Sequence, residues 1–314
     1  MTHPAAQLSD WPRITEGIKE ISFDNRSGAA EILKHSVELF SLAQDECAGN
    51  PAIDAEQAMA IVNAICSELS SAQGDMAPLL NMVRRLRSEV SLPADSGQAV
   101  FHQAARSATD FAASAGQWAQ QAAWHMAGLI AQDSTLLTHS RSSTVLLALK
   151  RAKESGKSFS VIVTESRPLM EGRLVAKSLA GDGIPVTLIA DAAAALAIQK
   201  ADMVVIGADR VSETHLVNKI GSYMIALAAR ERGIPFYSIA DSSKFISDTY
   251  IAERSEAHRS SGELCPIKPA GVTVFNRYFE QVPLEVVTGF VTQGGLHPTA
   301  AVPLLLSSTA SSSV

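Results

Sequence analysis

From Leu136 onward the chain repeats one rhythm, and that rhythm limits the fold more than any other feature. Short apolar runs at 135–139, 159–164, 186–190, 203–206, 235–240 and 271–275 alternate with helical patterns at 143–153, 171–179, 191–201 and 218–232. Runs this short and rich in β-branched residues suit strands buried on both faces. Spacings of about 20–30 residues leave room for one helix and two short connections, which is a βαβ unit. Pro185 and Pro235 stand where strands open, a place where a missing N–H costs little. The rhythm predicts a parallel, doubly wound sheet with right-handed crossovers.

The first 130 residues carry no strand-like run. Ile32, Leu33, Val37, Leu39 and Phe40 fall at helical spacing within 28–44, and Ala58, Ile61, Val62, Ile65, Cys66 and Leu69 repeat the pattern within 54–69 behind an Asn50-Pro51 turn. A third helix is expected over 76–90, with Pro78 near its start, where the ring is tolerated. The alanine-rich stretch 96–133 has high helix propensity and small side chains that allow close packing. The expected fold class is therefore α/β, with an all-helical domain over 1–130 and the sheet domain over 131–306. The serine-rich residues 307–314 are expected to form a disordered tail.

Of the 314 residues, 46% are hydrophobic and 18% charged, an ordinary globular balance. A formal charge of −6 gives no reason to expect direct binding to nucleic acid or to a membrane surface. The three cysteines, Cys47, Cys66 and Cys265, show no metal-ligand spacing, so neither metal nor cofactor is expected, and Cys66 reads as a small buried hydrophobe. The N-terminus lacks the charge pattern of a signal peptide and no run of 18 apolar residues occurs, so a cytoplasmic location is expected.

The strand tips carry the functional signal. Thr138-His139-Ser140, Thr164-Glu165-Ser166-Arg167, Asp191, Asp209 and Asp241-Ser242 each follow an apolar run. In a parallel sheet these tips share one edge, where ligands of open α/β sheets bind. Asp209 stands just past the run 203–206. Asn218-Lys219 precede a helical pattern, which places an amide and an ammonium at a helix start, a site that favours anions. Arg167 precedes a proline and is held extended. Lys219 and Lys244 could complete an anion pocket or pair with Asp209 or Asp241. Ser142 and Ser143 open a helix, as phosphate donors or as an ordinary cap. Arg26 with Gly28 and Ala29 reads either as a phosphate clamp or as a solvated arginine before a helix. His139 neighbours Ser140, but successive strand residues point to opposite faces, so the two are not expected to meet.

Taken together, Arg26-Ser27-Gly28-Ala29, Leu137-Thr138-His139-Ser140, Thr164-Glu165-Ser166-Arg167-Pro168, Glu171-Gly172-Arg173, Gly207-Ala208-Asp209-Arg210, Asn218-Lys219-Ile220-Gly221 and Asp241-Ser242-Ser243-Lys244-Phe245 give the chain a family likeness. It resembles the superfamily that joins the α, β and δ subunits of translation initiation factor 2B to ribose 1,5-bisphosphate isomerase and methylthioribose-1-phosphate isomerase. The resemblance runs from about Ile14 to Pro303. It implies a helical domain followed by a Rossmann-like domain, paired into homodimers or higher homo-oligomers. It also allows other translation-factor-like subunits as partners.

The wording of the motifs leans toward the regulatory subunits. In the isomerases a cysteine stands where this chain has Ser140, and the resemblance gives that position acid–base work with the aspartate retained as Asp209. A phosphate-binding arginine that the isomerases carry before the fourth helix has no match in the stretch 72–78. A serine hydroxyl is a far weaker acid than a thiol and needs a base beside it. The first reading is thus a protein that binds a phosphorylated sugar or nucleotide in the interdomain cleft through Arg26, Gly28, Ala29, Ser142, Ser143, Arg167, Asn218, Lys219 and Lys244. The alternatives are an aldose–ketose isomerase using Asp209 with Ser140, and a structural assembly subunit.

Overall fold

The computed structural model describes residues 8–48, 53–250, 260–267 and 269–311. The chain divides into two compact units, one of Met1–Gln117 with Ser307–Val314 and one of Trp118–Leu306.

Among the described residues the first unit holds no strand. Its helices are α1 (Pro12–Phe23), α2 (Ala29–Ala48), α3 (Ala55–Ala72), α4 (Ala77–Glu89) and the greater part of α5 (Gly97–Leu129). Asp54 starts α3 with a capping box. Its carboxylate accepts the Gln57 N–H at 2.8 Å, and the Gln57 side chain accepts the Asp54 N–H at 3.1 Å. The Asn50-Pro51 turn lies outside the described residues. Apolar stripes meet in a core of Ile14, Ile32, Phe40, Ile61, Ile65, Leu69, Leu79, Met82 and Phe101, all fully buried. Ala104 and Ala108 keep the contact face of α5 small, which lets its neighbours approach. Burial pushes the Cys66 thiol up to about 12, so it packs as a hydrophobe and does not react.

The second unit is a seven-stranded sheet with helices on both faces. In chain order it runs β1 (Ser134–Thr138), α6 (Ser143–Glu154), β2 (Phe159–Thr164), α7 (Gly172–Gly181), β3 (Val186–Ile189), α8 (Ala194–Ala197), β4 (Met203–Ile206), β5 (Arg210–Val211), β6 (His215–Lys219), α9 (Ser222–Glu231), β7 (Phe236–Ile239), β8 (Phe279–Pro283), β9 (Gly289–Thr292), β10 (Gly295–Pro298) and α10 (Val302–Ser311). The strand order is β10-β9-β7-β4-β1-β2-β3. Every pair is parallel except β9 with β10. Alternate strand residues feed two cores. Leu136, Val161, Val163 and Val205 pack with α6, α7 and the end of α5. Leu137, Ile162, Val204, Ile206 and Phe236 pack with α8, α9 and α10 on the other face.

Four expectations change. Residues 271–275 form no strand, and Val272 and Phe275 are exposed there instead of buried in the sheet. Asn218 and Lys219 end β6 instead of starting a helix. Their segment is claimed on both sides by antiparallel partners, β5 and β8, in a small second sheet that the βαβ rhythm does not reveal. The helix expected over 191–201 is only the short α8 between two 3₁₀ turns. The serine-rich end is helical as far as Ser311, because Val302 and Leu306 anchor α10 in the sheet core.

Lys157 closes α5. Its ammonium donates to the carbonyl oxygens of Ala127, Gly128 and Ile130 at 2.8, 3.0 and 2.6 Å, groups that a helix end leaves without partners. Lys157→Met should lower the unfolding free energy by about 1.5–3 kcal/mol, the usual value of hydrogen bonds to a charged group, measured by urea denaturation.

Candidate functional site

The strand order fixes where a site can lie. The chain winds outward from β1 through β2 to β3, then returns to β4 on the other side of β1. Connections leaving β1 and β4 therefore diverge, and a crevice opens at their carboxyl ends. His139 and Ser140 follow β1, while Gly207, Ala208 and Asp209 follow β4. The two tips pack closely: a Cβ on Gly207 would lie 2.6 Å from Ser142 Oγ at the start of α6. Asp209 is half-buried, and its N–H donates to the Val217 carbonyl at 2.9 Å, which fixes the tip of β4 against β6.

Backbone strain gathers on this edge. Ser140, Ser166 and Met170 have φ of 66°, 62° and 57°, left-handed values that cost a non-glycine residue about 1–3 kcal/mol each. Asp191 supplies part of the compensation. Its two carboxylate oxygens accept the N–H groups of Ser166 and Arg167, each at 2.7 Å. Ser166 Oγ in turn accepts the Ser140 N–H at 2.8 Å. Gly172 closes the same turn, because a Cβ there would lie 1.8 Å from the Thr164 carbonyl oxygen.

A buried ion pair lies beside Ser140. Glu171 Oε1 accepts from Lys219 Nζ at 2.8 Å and from Ser140 Oγ at 3.0 Å. Lys219 is 5% exposed, with its ammonium 5.1 and 5.4 Å from the ring centres of Tyr278 and Phe279. The second oxygen, Glu171 Oε2, is buried without a hydrogen-bond partner among the described residues. A carboxylate oxygen left this way is costly unless a ligand or solvent donor meets it.

His139 joins the tips. Nδ1 lies 2.6 Å from Thr164 Oγ1 and Nε2 lies 2.8 Å from the Ile220 carbonyl oxygen. Burial pushes its pKa below the ordinary imidazole value, and the Lys219 charge adds to this. The Ile220 hydrogen bond and the charges of Asp191 and Glu171 oppose the shift. On β8, Glu280 accepts the N–H groups of Gly221 and Tyr223 at 2.7 and 2.8 Å and so caps α9. Burial raises its pKa against those hydrogen bonds.

The profile of the Initiation factor 2 subunit family matches residues 28–299. The chain belongs to this family. Among the curated relatives of this family member, the ribose 1,5-bisphosphate isomerase of Methanocaldococcus jannaschii is 38% identical over 176 residues, which cover 55% of this chain and 57% of that one. The methylthioribose-1-phosphate isomerase of Heliobacterium modesticaldum is 40% identical over 187 residues, 54% of each chain. The chain thus spans little more than half the length of the curated relatives it matches. Among solved structures, the translation initiation factor eIF-2B of Pyrococcus horikoshii OT3 superposes with a TM-score of 0.77 at 28% identity, covering 90% of this chain and 96% of that one.

Within this family member the carboxyl edge of the sheet collects Ser140, Ser142, Ser143, Arg167, Asp209 and Lys244, each at or just after a strand tip or at the start of α6. Arg167 and Lys244 are half-buried and have no ion-pair partner among the described residues. The Arg167 guanidinium lies 3.9 Å from Met170 Sδ. Ser142 caps α6 through the Val145 N–H at 3.3 Å. Two expected anion ligands are committed elsewhere. Asn218 is buried and donates to Ser222 Oγ at 2.8 Å, and Lys219 pairs with Glu171 instead of Asp209 or Asp241. Arg26, Gly28 and Ala29 lie in the helical unit. There Arg26 is exposed, its N–H is held by Asp24, and the Gly28 N–H already donates to Glu31 at 3.1 Å. His139 and Ser140 hydrogen-bond to different partners, the imidazole to Thr164 and the Ile220 carbonyl and the hydroxyl to Glu171.

Sequence reading named Ser166 and Asp191 only as polar strand tips and Glu171 only within a motif, and gave none of them a role in the site. The Glu171-Gly172-Arg173 motif was the available signal, but its ionic partner was hidden by the misplaced start of α9. Among the described residues no cluster of metal-ligating side chains occurs, and no helix is long and apolar enough to cross a membrane.

Lys219→Met should cost about 3–5 kcal/mol, because it strands the buried Glu171 carboxylate. Adding Glu171→Leu should recover most of that loss in chemical denaturation. Equal losses for the single and double variants would show that the pair does not behave as a buried ion pair.

Proposed function

We propose that this family member binds a phosphorylated sugar in the crevice between the tips of β1 and β4. The observation that carries the reading is the reversal of strand winding at β1, with Ser140 following β1 and Asp209 following its neighbour β4. Two cations without ionic partners among the described residues, Arg167 after β2 and Lys244 after β7, stand one strand further out on each side. A guanidinium can take phosphate oxygens in pairs, and an ammonium adds a mobile charge. The first amides of α6, with Ser142 and Ser143, have no intrahelical carbonyl to bond and favour an anion. Hydroxyl and carboxylate groups in the middle, with cations outside, suit a polyol carrying phosphate.

A second reading is turnover as an intramolecular aldose–ketose isomerase. It is favoured by the 38–40% identity to relatives that bear such names. In that reaction Asp209 moves the proton between neighbouring carbons of the sugar, and Ser140 assists. Binding is the better supported of the two. Glu171 is the only base hydrogen-bonded to Ser140 among the described residues, and Lys219 already occupies the same oxygen. Pairing with a second copy of the chain belongs to the same proposal, supported by exposed Leu196 on α8 and Met224 and Leu227 on neighbouring α9.

Thermal shift against ribose 1,5-bisphosphate, methylthioribose 1-phosphate, hexose phosphates and nucleoside monophosphates tests the reading, followed by turnover assays on any binder. A sugar phosphate at a hundred times its Kd should stabilise the protein by about 2.7 kcal/mol. Arg167→Ala should weaken that binding roughly tenfold or more, the loss of one charge-assisted contact. Stabilisation without turnover supports binding alone. Turnover that Asp209→Asn abolishes establishes the isomerase, and no stabilisation by any phosphate compound rejects both.

A further inference from the structure

His139 is 1% exposed and touches three segments at once. It follows β1, its Nδ1 meets Thr164 at the end of β2, and its Nε2 meets the Ile220 carbonyl in the turn between β6 and α9. A carbonyl oxygen can only accept, so Nε2 carries the hydrogen. In the neutral ring Nδ1 is then an acceptor, and the Thr164 hydroxyl donates to it. Each segment also carries a group of the crevice. Ser140 follows His139, Ser166 lies two residues beyond Thr164, and Lys219 precedes Ile220. Ser166 Oγ lies 3.1 Å from Thr164 Oγ1 and accepts the Ser140 N–H. Gly221, at φ 106°, lets the turn close over the ring, for a Cβ there would lie 3.0 Å from Nε2.

We infer that neutral His139 is a positioning residue for the crevice, fixing Ser140 and Lys219 relative to each other, so that ligand binding fails when the imidazole is protonated. For its ligand the inference rests on the sugar-phosphate reading. The pinning itself rests on the hydrogen bonds alone.

The charges around the ring act in both directions. Lys219 on β6 repels an imidazolium, while Asp191 after β3 and Glu171 before α7 attract it. Glu280 on β8 holds the far side of the same turn through the Gly221 N–H. Burial is the largest effect, and it favours the neutral ring. The folded pKa is therefore depressed. The stability this group contributes is present above its unfolded pKa of about 6.5 and is lost as pH falls toward the folded value. A proton on Nδ1 turns that acceptor into a donor. Thr164 Oγ1 must then accept, and its own hydrogen turns toward Ser166 Oγ at 3.1 Å, so the hydroxyl that holds the Ser140 N–H changes its hydrogen-bond partners.

Two measurements on the full chain test this from about pH 8 down to the onset of acid unfolding, because the transition lies below the ordinary imidazole value of about 6.5. In amide NMR without ligand, the Ser140, Ser166 and Gly221 resonances should shift together with one midpoint that His139→Gln abolishes. Thr164→Val, which removes only the hydroxyl, should uncouple Ser166 from that midpoint. In calorimetry with ribose 1,5-bisphosphate, wild-type affinity should fall on acidification by about tenfold more than that of His139→Gln, which retains only the titration of the phosphate near pH 6. Amides without a common midpoint, or identical binding profiles for wild type and His139→Gln, overturn the inference. Coupled amides in a protein that binds no sugar phosphate at any pH support the pin and reject the sugar-phosphate reading.

Discussion

The reversal of winding at β1 is the constraint on which the rest of the molecule depends. A parallel sheet needs a crossover for every strand, and each crossover must lie on one face or the other. Here the helices after β1 and β2 cover one face while α8, α9 and α10 cover the other. The tips of β1 and β4 therefore have no helix bridging them. The crevice follows from how the chain is wound, and the loops then decide its chemistry. Loops on that edge are shaped by polar side chains acting on backbone groups: Asp191 on two amides, Ser166 on one and Glu280 on two more.

Much of this architecture was legible because its signals are local. A β-branched run such as 203–206 followed by Gly207 shows a strand and its exit, and the Asp54–Gln57 box shows a helix start. The error at Asn218 has the opposite cause. Residues 215–219 read as the approach to a helix because α9 follows closely. They became a strand because Val211 on one side and Val282 on the other pair with them. The partner β8 begins 60 residues after β6 ends, and no local pattern announces pairing at that distance. The same error hid the ion pair, since Lys219 reaches Glu171 from the end of a strand.

The site was legible in outline for a related reason. Strand tips share an edge in any parallel sheet, so Ser140, Arg167, Asp209 and Lys244 could be grouped before any contact was known. Which cations remain available could not be read that way. Lys219 and Lys244 look alike in sequence, but one is spent on a buried carboxylate and the other has no ionic partner among the described residues. That difference depends on where Glu171 falls, at the turn into α7, and the turn is set by Gly172 approaching the Thr164 carbonyl.

The arrangement around Ser140 bears on the choice between the two proposed readings, holding a sugar and converting it. A group that shuttles protons must give one up and take one back at similar cost. The Ser140 hydroxyl directs its hydrogen to Glu171, and Lys219 holds the same oxygen from the other side. That oxygen of Glu171 therefore already accepts from two donors. The Ser140 lone pairs are not used by the bond to Glu171, and the second oxygen of Glu171 is buried without a hydrogen-bond partner among the described residues. This arrangement fits the proposed binding of a phosphorylated polyol better than its conversion. It lacks the readily ionised thiol that the resemblance places at this position in the isomerases, so the proposed isomerase reading has to lean on Asp209.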